Sequence, residues 1–109
     1  FALAVEQGSA AQQAAELLPD STVVAAFHHI SAVLLLDDSV PTLDTDVLVL
    51  GDKREATDTV QALANRIPGL RGIYGGRLRN AAQVEAFTAN LISINRRYKA
   101  HGGVRISDV

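Results

Sequence analysis

Apolar positions recur along this chain with two different periods, and the two alternate. Ser9-Ala10-Ala11-Gln12 has the form of a capping box opening an Ala-rich helix that runs to about Leu18, where Pro19-Asp20 stops it. Thr22 to Phe27 is a short β-branched run, expected as a buried strand ending at His28. Ser31 is placed to cap a short helix carrying Leu34, Leu35 and Leu36. Asp37 to Thr45 contains Pro41 and has no periodicity, so a loop is expected there. Asp46 to Leu50 reads as a second strand, closed by Gly51.

The second half repeats the alternation. Asp52-Lys53-Arg54-Glu55 is another capping box, and its helix places Ala56, Val60, Leu63, Ala64 and Ile67 on one face before Pro68-Gly69 ends it. Leu70 to Tyr74 predicts a third strand, and Gly75-Gly76 turns the chain. Asn80-Ala81-Ala82-Gln83 is expected to cap the longest helix. Its stripe of Val84, Phe87, Leu91, Ile94 and Tyr98 should be buried against the sheet or a second copy. Arg96, Arg97 and Lys99 suit the negative end of that helix, Gly102-Gly103 should terminate it, and Val104 to Ile106 could add a final strand. Alternating strands and helices predict an α/β layer structure over residues 1–109, Rossmann-like, with a mixed or mostly parallel sheet, flanking helices and a long C-terminal helix.

Composition narrows the function. With 48% hydrophobic residues in 109, the chain is too apolar for a disordered tail. The absence of cysteine removes disulfides, thiolate metal sites and thiol nucleophiles together. No apolar run approaches the roughly 20 residues of a membrane span. The stretch from Phe1 to Glu6 lacks the basic start of a secretory signal, and with no methionine in the chain the expected setting is part of a longer polypeptide.

Charge is divided along the chain. Residues 1–60 carry ten acids and two bases, a net of −8, whereas residues 61–109 carry eight bases and two acids, a net of +6. Two readings stand: the halves neutralise one another, or the basic half offers a surface to an anionic ligand. A nucleic-acid partner is not expected at a net charge of −2 with five aromatic residues.

Candidate chemistry is sparse. The glycines fit neither a Gly-x-Gly-x-x-Gly turn nor a phosphate loop. On an extended chain His28 and His29 point to opposite faces and chelate one metal poorly, and the Asp37–Asp46 acids lack a calcium loop's central Gly and final Glu, so no metal site is expected. His28 at a strand end is either a structural histidine or a ligand contact, because open α/β sheets bind ligands there. Gly75 to Asn80 is either a turn into a capped helix or a polar-ring or anion contact made by its backbone and by Arg77 and Arg79.

Several segments in fixed order carry a resemblance: Ala26-Phe27-His28-His29-Ile30-Ser31-Ala32, Val49-Leu50-Gly51-Asp52, Ile67-Pro68-Gly69-Leu70, Gly76-Arg77-Leu78-Arg79-Asn80 with Val84-Glu85 and Thr88, and Leu91-Ile92-Ser93-Ile94-Asn95. From Gly8 onward the chain resembles the C-terminal half of the reduced-deazaflavin (coenzyme F420):NADP oxidoreductases. The resemblance implies a cytoplasmic homo-oligomeric enzyme in which hydride passes directly between NADP(H) and the 8-hydroxy-5-deazaflavin coenzyme. It further implies an NADP-binding Rossmann half elsewhere, so that this chain lines the deazaflavin and nicotinamide pocket and is inactive alone.

By the same resemblance His28 matches the active-site histidine and Ile30 the apolar residue beside the ring. Gly76, Leu78 and Asn80 match the loop entering the last helix, and Thr88 a threonine facing the site. Ala82 and Ala86 stand where some members carry a basic residue and Ser, so polar contacts to the coenzyme are expected to be either reduced or supplied by Arg79. The alternative is a non-catalytic α/β binding or dimerisation module on the same scaffold.

Overall fold

Leu43, Val47, Val49, Ala64 and Leu70 pack into the first of two core clusters in the computed structural model, which describes residues 5–109. Around them run α1 (Ala10–Leu17), α2 (Ala32–Leu35), β1 (Thr45–Leu50), α3 (Arg54–Asn65), β2 (Leu70–Gly76) and α4 (Ala81–Tyr98), the last entered through a 3-10 turn at Leu78–Asn80. The reading of the N-terminal stretch falls, for residues 1–4, outside the described residues.

β1 and β2 pair in parallel, from Thr45 opposite Leu70 to Leu50 opposite Gly76, with one irregularity after Val49. Parallel pairing requires a crossover, and α3 supplies it, so residues 45–76 form a βαβ unit. Five of the six β1 residues are buried, as expected for a parallel strand covered on both faces. Gly69, at φ 85°, makes the turn into β2, where a Cβ would sit 1.6 Å from the Leu43 carbonyl oxygen. A side chain has no room there. The second core cluster, Ala25, Leu50, Leu78 and Ala81, joins the βαβ unit to the start of α4. The α/β class with a parallel sheet, flanking helices and a long last helix is therefore present.

Five local expectations are corrected. Thr22 to Phe27 is not a strand: only Ala25 pairs, as one antiparallel bridge to Leu50, and Phe27 then turns left-handed at φ 65°. Asp52 does not cap α3, whose N-cap is Lys53, because its carboxylate accepts from the Leu78 N–H at 3.1 Å. Asn80 does not cap α4 either. Its φ and ψ of −94° and 2° continue the 3-10 turn, whereas a capping side chain needs an extended backbone. α4 ends before the glycines, at Tyr98, where Lys99 adopts the left-handed conformation. Val104 to Ile106 bonds to Thr45 and Asp46 without forming a strand.

Burial also departs from the helical stripes. On α3, Leu63 is exposed and the buried positions are Thr57 and Ala64. On α4 only Leu91 of the predicted stripe is fully buried, while Phe87, Ile94 and Tyr98 are 39%, 44% and 73% exposed. α4 packs on α1 through its first half and runs beyond that cover. Ser9 caps α1 as expected, accepting from the Gln12 N–H, and Ser31 caps α2 by accepting from the Leu34 N–H. No helix among the described residues is long and apolar enough to cross a membrane.

Candidate functional site

The bridge at Ala25 and the left-handed turn at Phe27 carry the chain off the sheet, and the two histidines that follow diverge. Their ring centroids stand 6.3 Å apart at 55°. His29 is buried; its Nε2–H donates to the Val84 carbonyl at 3.0 Å, and its ring meets Phe87 edge-to-face at 5.3 Å. It fastens residues 28–31 to α4.

His28 is only half-buried. Its Nε2 lies 3.9 Å from Glu85 Oε2, and its Nδ1 is buried without a hydrogen-bond partner. Burial is the main influence on the ring and lowers its pKa below the ordinary 6.5; Glu85 partly opposes that shift and His29 adds to it. His28 is therefore mostly neutral at pH 7. Glu85 is engaged elsewhere, because its two oxygens accept from the Ala10 and Ala11 N–H groups at 2.9 and 3.2 Å. A carboxylate from α4 thus caps the positive end of α1 while facing His28.

His28, Ile30, Thr88, Leu91, Ile92, Asn95 and Gly102 line one groove of about 170 Å³. Leu91, Ile92 and Ile30 make one wall apolar. Thr88 donates weakly to the Val84 carbonyl at 3.5 Å, and Asn95 is held at both ends by Gly102, accepting from its N–H at 2.7 Å and donating to its carbonyl at 3.3 Å. An apolar wall beside His28, Thr88 and Asn95 suits a planar heteroaromatic ring with a polar edge. The volume is below the roughly 300–1,000 Å³ that encloses a small ligand, so the groove can hold part of one.

The structure brings together three of the residues singled out from sequence, His28, Ile30 and Thr88. Gly76, Leu78, Arg79 and Asn80 do not line this groove. Leu78 is buried in the second core cluster, Arg79 is exposed, and the Asn80 amide lies over Gly76, which takes φ 125°. Their loop borders a larger cleft of about 460 Å³ at the C-terminal ends of β1 and β2, lined by Gly51, Arg54, Asp58, Gln61, Tyr74 and Arg77. Its charges are mixed, and Arg54 faces Asp58 at 3.8 Å. Among the described residues it holds no buried polar side-chain atom without a partner. No group of three or more His, Cys, Asp or Glu able to hold a metal occurs among the described residues.

Sequence reasoning missed Asn95 at the groove, Glu85 beside His28, and Asp46, which bonds to Arg105 and Ile106. Glu85 carried a signal, being one of two acids in a half with eight bases. Asp46 carried another, as the one charge within the strand Thr45-Asp46-Val47-Leu48-Val49-Leu50. Its partners are Arg71 and Arg105, so part of the divided charge is neutralised within the chain.

No family model matches the chain. Among curated proteins it is 42% identical over 105 residues to an F420-dependent NADP reductase of Methanothermobacter marburgensis, a match covering 94% of this chain and 46% of that protein. It is 40% identical over 103 residues to one of Methanocaldococcus jannaschii, with the same two shares covered. The chain spans about half the length of the curated relatives it matches. A solved structure from Arthrobacter sp. FB24, provisionally named an F420-dependent NADP reductase, superposes with a TM-score of 0.78 over 94% of this chain and 48% of that one. At 21% identity that likeness establishes the fold.

Proposed function

This chain is homologous to F420-dependent NADP reductases across about half their length, and from that premise we propose that it lines part of the site where hydride passes between NADP(H) and the deazaflavin coenzyme F420. The observation carrying the proposal is the groove that gathers His28, Ile30 and Thr88. When bound, the deazaflavin supplies a ring carbon that accepts or releases hydride. The protein's work is then orientation and exclusion of water.

Ile30 is β-branched and stiff at χ1, which makes it a fixed spacer against a planar ring. Leu91 and Ile92 give that face an apolar surface. His28, neutral, sets an imidazole against the ring and holds no proton that the hydride step requires. Thr88 adds a hydroxyl along the same wall. In this reading Arg79 counters negative charge on the coenzyme outside the groove, and Gly76, Leu78 and Asn80 fix the backbone that presents it. The chain contains no Gly-x-Gly-x-x-Gly turn, so the nicotinamide dinucleotide is anchored by residues outside it. A site shared in this way matches the small volume of the groove.

The test is a titration of the 109-residue chain with oxidised F420, followed by backbone NMR shifts, together with an assay for NADPH oxidation. Shifts centred on residues 28–31 and 88–95, without NADPH oxidation, are expected. Absence of shifts at an excess of F420, or shifts confined to the cleft at Tyr74 and Arg77, would reject the assignment. Turnover by this chain alone would reject the division of labour. The exposed outer stripe of α4 favours one second reading, a packing module. It requires self-association in sedimentation experiments with no response to F420.

A further inference from the structure

We propose that the segment 102–106 is a strap, clamped by Asp46, Arg71 and Arg105, and that the clamp positions Asn95 and Gly102 as one wall of the His28–Ile30 groove. Its consequence for coenzyme binding rests on the function proposed above; the mechanical coupling does not.

Asp46 is completely buried, and its carboxylate is saturated. Oδ1 accepts from Arg71 Nε at 2.9 Å and Arg105 Nη1 at 3.1 Å, and Oδ2 from Arg71 Nη2 at 2.8 Å and the Ile106 N–H at 2.6 Å. Two of these four donors belong to the strap. Arg105 also pairs with Asp44, and Arg71 donates to the Ile106 carbonyl at 2.8 Å. One residue back, the Val104 carbonyl accepts from the Asp46 N–H at 2.7 Å and from the Thr45 hydroxyl at 3.0 Å. The same hydroxyl accepts from the Val104 N–H at 3.0 Å. A buried carboxylate committed to this many donors holds them in one geometry, since releasing any donor exposes an unpaired charge.

Gly103 alone separates this clamp from the groove. A Cβ on Gly103 would stand 2.1 Å from the Thr45 hydroxyl, so the strap seats only because residue 103 has no side chain. Gly102, next in line, is locked to the Asn95 amide through both its N–H and its carbonyl. Gly102 and Asn95 both line the groove. Displacing Val104 therefore moves Gly102 and withdraws both partners of the Asn95 side chain. Asn95 is then free to rotate into or out of the space beside Ile92. Asp46, Arg71 and Arg105 are positioning residues that touch no ligand.

Arg105→Ala and Gly103→Ala test this without emptying the core, the first by removing charge and the second by steric displacement alone. The readouts, in the 109-residue chain, are amide hydrogen exchange at Gly102 relative to β1 and the shifts induced by oxidised F420 at His28 and Thr88. Both variants are expected to speed exchange at Gly102 at least ten-fold relative to β1 and to weaken F420 affinity several-fold. Arg105→Lys, which retains a cation, should recover part of each loss. General destabilisation would accelerate β1 equally. Parental relative exchange at Gly102 in both variants would overturn the clamp. Accelerated exchange with parental F420 affinity would overturn its role in the site. If the parent chain shows no response to F420, the proposed function falls while the exchange ratios still decide the coupling.

Discussion

Arg71 closes on Asp46 through two parallel hydrogen bonds, Nε to Oδ1 at 2.9 Å and Nη2 to Oδ2 at 2.8 Å, from the position directly beside it on the neighbouring strand. The pair welds β1 to β2 near the N-terminal ends of both strands. Hydrogen bonding from Arg71 is the chief reason the Asp46 carboxyl titrates far below the ordinary 3.8.

Asp46→Asn keeps the shape and removes the charge. Hydrogen bonds to a charged group contribute about 1.5–3 kcal/mol each. Both guanidinia reach solvent, which screens the loss, so a destabilisation of about 2 kcal/mol is expected by urea unfolding at pH 7. The folded carboxyl binds its proton more weakly than the unfolded one. Its contribution is therefore complete above about pH 4 and drains away as pH falls further toward the folded pKa. The gap between parent and variant should narrow below pH 4; a constant gap would deny the ionised clamp.

His28 should titrate below 6.5 in histidine NMR spectra, because burial outweighs the Glu85 carboxylate. Glu85→Gln removes the one influence that raises its pKa, so the midpoint should move lower still. A lowered folded pKa means that His28's contribution to stability is complete above about pH 6.5 and declines as pH drops through the folded value. An unchanged midpoint in Glu85→Gln would show that the two groups do not interact.

Phe87→Ala should cost about 1–2 kcal/mol in thermal unfolding. A fully buried phenylalanine loses about 3–5 kcal/mol, but this ring is 39% exposed and its main specific contact is the edge-to-face one with His29. A loss above about 3 kcal/mol would mean that the outer face of α4 is covered in solution.

Placed in a full-length reductase carrying this segment, Ile30→Gly should slow single-turnover hydride transfer while changing coenzyme affinity little, since donor–acceptor geometry governs the step. His28→Ala should slow it without abolishing it. Pre-steady-state absorbance with deuterated NADPH isolates the step. Parental rates in Ile30→Gly would return Ile30 to ordinary packing, and complete loss in His28→Ala would assign it a proton transfer.

α1, β1, α3 and β2 were legible from sequence because each is specified by a local period and a local stop, such as Pro68-Gly69. The 22–27 strand was misread because a β-branched run states a preference and not a partner: β1 offers this segment one pairing, at Leu50. Both failed caps were local patterns overridden by tertiary demand, with Asp52 drawn to Leu78 and Asn80 wound into a 3-10 turn. At the groove, His28, Ile30 and Thr88 stood out through family resemblance. Glu85 and Asn95 act through contacts 75 and 7 residues away, to α1 and to Gly102, and periodicity carries no trace of those.

The βαβ unit of residues 45–76 closes over short stretches of chain; Arg71 reaches Asp46 across 25 residues. The groove is stitched from both sides of that unit, by bonds spanning 55 residues from His29 to Val84 and 59 from Thr45 to Val104. Long closures cost more chain entropy and are rewarded only after the shorter ones exist. The βαβ unit is accordingly expected to form first, and the groove to assemble late and open early. Ligand binding at such a place would lengthen the life of the native state by holding shut the region through which unfolding begins.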